Sequence, residues 1–145
     1  MSVDMEELKN YVEKVSKEKY SDFIKKCVYF DNGNVLLNTN LVYNRSFEHS
    51  KKLDEIAKRL DSSIKREENV KETFNSRKPM TMERTYRVLT PSGKELAKLS
   101  LERTLTEKGK TKKTSPLKLE IITENNSNAT IDYLLESLVD NFKPK

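Results

Sequence analysis

From Arg84 to Leu105 the chain alternates with a period of two, interrupted once by Thr90-Pro91-Ser92-Gly93. Arg84, Tyr86 and Val88 alternate with Thr85, Arg87 and Leu89. On the return, Ala97, Leu99, Leu101 and Leu105 alternate with Lys98, Ser100, Glu102 and Thr104. A strand turns successive side chains to opposite faces, so this pattern reads as an antiparallel hairpin buried on one side only. Pro and Gly in the interruption are turn chemistry. A helix cannot serve a period of two. The rest of the chain must therefore supply something to cover one apolar sheet face.

Helical spacing supplies the cover. Met5, Leu8, Val12 and Val15 share one face, and Phe23, Ile24 and Cys27 resume that repeat beyond an expected break near Ser21-Asp22. Phe47, Leu53, Ile56, Ala57, Leu60 and Ile64 mark a second helix, and Ile131, Leu134, Leu135, Leu138, Val139 and Phe142 a third with a wide apolar stripe. Between the first two, Asn32-Gly33 separates Cys27-Val28-Tyr29-Phe30 from Val35-Leu36-Leu37, a strong hairpin signal. Residues 66–79 are charged and nearly devoid of apolar side chains, and read as a connection, either a solvated helix extension or a mobile linker, closed by Pro79. After the stretch Glu107 to Pro116, read as a second connection, Leu117, Leu119 and Ile121 form one more strand. The expected order is α-β-β-α-β-β-β-α, an α+β fold in which an antiparallel sheet is covered by helices, with residues 1–145 as a single domain.

Composition bounds the core. Hydrophobic residues are 34% and charged residues 35% of the 145, where globular chains average roughly 45–50% and about 25%. Such a balance favours disorder when apolar residues are scattered, but here they are clustered and periodic. No apolar run approaches membrane-spanning length, and no membrane contact is expected. The acidic opening Met1–Glu7 lacks an apolar signal region, and Cys27 is the single cysteine, which together set the expectation of a cytoplasmic or nuclear protein.

Few parts for catalysis are present. Ser-His-Asp or Cys-His chemistry needs a base beside its nucleophile. His49 is the single histidine and reads as a surface residue, while Cys27 reads as a small apolar group. One His and one Cys cannot build a zinc site without several carboxylates. Gly109-Lys110-Thr111 resembles the end of a phosphate-binding loop, but Thr104 stands where that loop needs its first glycine. The expectation is a protein that is not an enzyme and needs no cofactor.

Two surfaces remain. The net charge of +5 is carried by residues 80–113, which alone have a balance of +5. There, Arg84, Arg87, Lys94, Lys98, Lys108, Lys110, Lys112 and Lys113 could track a phosphate backbone. The apolar stripe of the last helix, with Ile131, Leu134, Leu135, Leu138 and Phe142, is the candidate face for a protein partner or a second copy. The element order is similar to that of the roadblock and longin-type scaffolds, αβ sandwiches used for dimerisation and adaptor work. The C-terminal half also resembles the signal-recognition-particle Alu proteins and the double-stranded-RNA-binding domain. It departs from the latter at Asp132 and Glu136, where a basic helix start would be needed. The leading expectation is a non-catalytic module acting through protein contacts, as an adaptor, inhibitor, complex subunit or dimer. The alternative is RNA binding through residues 84–113.

Overall fold

The computed structural model describes residues 5–43, 47–72, 80–106, 108 and 111–142. Its elements run α1 (Met5–Glu18), β1 (Ile24–Tyr29), β2 (Val35–Thr39), α2 (Phe47–Arg59), β3 (Ser63–Glu72), β4 (Met80–Leu89), β5 (Glu95–Leu105), β6 (Thr111–Thr114), β7 (Lys118–Ile121) and α3 (Asn128–Phe142). A 3-10 turn at Thr123–Asn125 leads into α3. The fold is α+β with a fully antiparallel sheet, as the alternation and the helical repeats require.

The strand order is β1-β2-β7-β5-β4-β3, and β6 also pairs with β5. β5 is long enough to hold two short strands along one side, with Ala97–Ser100 opposite β7 and Arg103–Leu105 opposite β6. Ser115 closes the gap between them. Its N–H donates to Glu102 O at 2.9 Å, and its Oγ accepts from Glu102 N–H at 2.8 Å.

Register fixes the faces. Val35, Leu37, Leu119, Ile121, Ala97, Leu99, Val88 and Tyr86 are opposite one another in successive pairs and share one face. All eight are buried in a cluster with Leu8 and Val12 of α1, Leu53, Ile56 and Ala57 of α2, and the α3 stripe. The helices thus lie on one face, with α3 touching both α1 and α2. Each fully buried side chain of Leu or Val size contributes about 1.5–3 kcal/mol. The opposite face holds Lys98, Ser100, Glu102 and Thr104 half-exposed, with Thr85 as its buried exception.

Both tight hairpins use one solution. Gly33 N–H bonds to Phe30 O, and Gly93 N–H to Thr90 O, with φ of 91° and 87° at the two glycines. A left-handed residue closing such a turn favours glycine because it has no Cβ. In the first hairpin the turn centres on Asp31–Asn32, and Gly33 alone takes positive φ. The Asn-Gly pair therefore sits one position later than the two-residue turn its sequence suggests.

Four sequence expectations need correction. The α1 repeat ends at Glu18, and Ile24 and Cys27 lie in β1. Tyr20 N–H turns back to Val15 O, and Ile24 N–H to Tyr20 O, which redirects the chain before Cys27. The second helix ends at Arg59, so Ile64 is a strand residue. Ser62 N–H bonds to Ala57 O and Asp61 N–H to Lys58 O, with Asp61 at φ 51°. Those two bonds satisfy the last carbonyls in the geometry of a left-handed helix stop. Finally, the 66–79 connection is strand from Arg66 to Glu72, with residues 73–79 outside the described set. The same holds for the second connection, where Thr111–Thr114 is β6.

Candidate functional site

Four basic residues of 84–113, Arg84, Arg87, Lys98 and Arg103, are divided between the two faces and paired with carboxylates. Arg84 is on the helix-covered face, where its Nε donates to Glu68 Oε1 at 2.5 Å. Arg103, 3% exposed, donates to the same oxygen through Nη1 at 3.2 Å. One carboxylate thereby serves two guanidinium groups, one of them the buried Arg103. Arg87 is on the open face between Glu67 Oε2 (3.3 Å) and Glu95 Oε1 (2.9 Å). Lys98 approaches Glu120 at 3.7 Å on the same face. Lys94, Lys108 and Lys113 are exposed. Lys110 lies outside the described residues, as does the side chain of Lys112. The structure therefore does not gather Arg84, Arg87 and Lys98 into one patch.

The candidate partner face of α3 is corrected by burial. Ile131, Leu134, Leu135, Leu138 and Phe142 are each 0–3% exposed. The stripe is wide because α3 packs on the sheet while also touching α1 and α2, so it has no apolar surplus for a partner.

Cys27 lines an open cleft of about 330 Å³ between α1 and β1, together with Glu13, Ser16, Lys17 and Tyr29. Burial pushes its thiol above the ordinary range, so at neutral pH it stays protonated and is a poor nucleophile. Tyr29 Oη donates to Glu13 Oε2 at 2.8 Å, and Lys17 pairs with Glu13 Oε1 at 2.8 Å. Lys17 and Tyr29 together hold that carboxyl below its ordinary value. The side chain of His49 lies outside the described residues. Among the described residues no group of three or more His, Cys, Asp or Glu could hold a metal ion.

The sheet edges are the remaining surfaces, and they differ. β1 carries Lys25 and Lys26 with a bulge between Ile24 and Lys26. Lysines and bulges are the usual defences of an edge against another strand. Among the described residues the short β6 pairs with β5 alone and is a second edge, and β3 forms the third, where no strand pairs with its outer side. It runs regularly beside β4 from Ser63 to Val70, with its one irregularity after Val70. On the helix-covered face it presents Ile64, Arg66, Glu68 and Val70, and on the open face Ser63, Lys65, Glu67 and Asn69. Val70 is 51% exposed, the most exposed large apolar side chain among those described.

Sequence reasoning passed over these β3 residues. The available signals were Asp61-Ser62-Ser63 as turn chemistry after a helical run, and Ile64 and Val70 at even spacing. No family model, curated protein or solved structure matches the chain.

Proposed function

We propose that this protein is a non-catalytic binding module that works through protein contacts, made by adding a strand to the β3 edge. The observation that carries the reading is the difference in regularity between the edges: β1 is interrupted by a bulge within its six residues, whereas β3, although charged at Lys65, Arg66, Glu67 and Glu68, offers eight regular positions and an exposed Val70. Strand addition draws affinity from main-chain hydrogen bonds and specificity from alternate side chains. A cytosolic or nuclear location goes with this reading, supported by a single half-buried cysteine that has no second cysteine in the chain to pair with.

The test compares the wild-type chain with Val70→Lys, both immobilised and exposed to lysate of the source cells. Capture that is specific to the wild-type edge supports the reading, and identical capture by both variants contradicts it. Labelled RNA on the same supports tests the alternative. Binding that falls steeply with salt and survives Val70→Lys would favour a basic surface instead.

A further inference from the structure

We propose that the strand added to β3 is the β3 strand of a second copy of the chain, antiparallel, with Glu67 on the two-fold axis. The inference rests on the edge-docking reading above and names its occupant.

Symmetry restricts the register. A two-fold dimer uses the same patch twice, so if one residue faces another, the reverse pair also forms. Joining two edges into one continuous sheet requires an axis perpendicular to that sheet. Opposed residues then share a face, and the axis passes through a residue rather than between two. Because side chains alternate, a one-residue slip would put the helix-covered face of one strand opposite the open face of the other.

Among the permitted centres, Glu67 gives complementary pairs. On the helix-covered face, Arg66 falls opposite Glu68 of the second copy and Ile64 opposite Val70, and both pairs occur twice. On the open face, Lys65 falls opposite Asn69. The half-exposed Ile64 and the 51%-exposed Val70 would cover each other. Centring on Arg66 would set Arg66 against itself and Ile64 against Glu68. Centring on Glu68 would set Glu68 against itself and Arg66 against Val70. Like charges directly opposed are unfavourable in a sheet. The Glu67 centre has one such contact, with each carboxylate flanked by Arg87 at 3.3 Å and Lys65 at 3.4 Å; Glu68 is likewise flanked by Arg84 and Arg103, so the choice between the centres rests on Ile64 meeting Val70 rather than a charge. The strand is also free of bulges over the whole span needed, Ile64 to Val70.

The experiment has two arms on the full chain. Sedimentation velocity from about 1 to about 100 µM brackets a micromolar dimer. Wild-type protein should dimerise in that range, and Val70→Lys should weaken the dimer about tenfold, since each altered pair occurs twice. The second arm places single cysteines in a Cys27→Ser background. Directly opposed residues lie about 4.5–5.5 Å apart at Cα, within reach of a disulfide. Glu67→Cys alone should oxidise to a covalent dimer. Lys65→Cys and Asn69→Cys should cross-link when mixed with each other but not alone, which also covers the case that Glu67→Cys folds poorly. A monomer throughout the concentration range, or cross-linking that peaks at Arg66→Cys or Glu68→Cys, overturns the proposal. Capture of a different protein that is lost in Val70→Lys would then leave edge docking standing with another occupant. Capture unaffected by Val70→Lys would remove both.

Discussion

Tyr11, Tyr29 and Tyr86 have phenol groups held neutral by their surroundings. Tyr11 Oη donates to Asp132 Oδ1 at 2.5 Å, joining α1 to α3, and that bond is the main reason its pKa is pushed up to about 12. Burial is the main cause at Tyr86, also raised to about 12, and at Tyr29, which is raised as well. A phenol raised above its ordinary value of 10.0 holds its proton in the folded state after the unfolded chain has released it. Its contribution to stability is therefore complete below pH 10 and is lost as the pH climbs from about 10 to about 12. A spectrophotometric titration should show these phenolates appearing late and together with unfolding. A single population of tyrosines ionising near pH 10 with the fold intact would contradict this. The Glu68 carboxylate is the second residue-scale dependency. Glu68→Gln withdraws a charged acceptor from the buried Arg103 and from Arg84. It should cost about 1–3 kcal/mol in urea denaturation, the usual effect of weakening a buried charged hydrogen bond. An unchanged midpoint would mean that Arg103 does not depend on it.

At the scale of elements, the stop after α2 and the burial of α3 make opposite demands. Asp61 holds a left-handed conformation at the end of α2, which costs an ordinary residue roughly 1–2 kcal/mol and glycine almost nothing. Asp61→Gly should therefore leave stability unchanged or raise it by up to about 1 kcal/mol, measured by the same denaturation. A clear loss would point to a role for the Asp61 side chain beyond its backbone. Leu134→Ala should cost about 2–5 kcal/mol, because Leu134 is 2% exposed in the core. A partner-facing leucine would leave folding untouched. The alternating hairpin, the Asn-Gly turn region and the α3 repeat were legible because burial imposes a periodic apolar pattern on the sequence. β3 was not. Its covered face alternates Ile64, Arg66, Glu68 and Val70, and the two charged positions are satisfied by Asp54, Arg84 and Arg103 rather than by apolar burial. Hydrophobic periodicity cannot register a strand whose inward contacts are ionic. The α2 repeat ran on to Ile64 for a related reason, since no glycine or proline marks the turn at Asp61.

For the whole molecule, the layout determines which surfaces can meet a partner. Among the described residues three helices share one face of a seven-stranded sheet, which consumes the α3 stripe and leaves the open face studded with opposed charges. Among the described residues the edges of β1, β3 and β6 remain, β1 broken by a bulge beside Lys25 and Lys26 and β6 only four residues long. The candidate site was only partly visible in sequence. The shortage of catalytic parts set only the expectation of a partner-binding role, and the location proposed for it depends on which strands form the edges, an order set by non-local pairing. The basic segment shows the same limit: proximity in sequence placed Arg84 and Arg87 together, while the register sends them to opposite faces. The central claim is that β3 is covered by a second copy while β1 is not. Amide hydrogen exchange of wild-type protein and Val70→Lys, both at about 100 µM, tests it most directly, since protection reports local opening and pairing. Exchange over residues 63–70 should be slower in the wild type, and exchange over residues 24–29 equal in the two proteins. Equal exchange over residues 63–70 in the two proteins would contradict it.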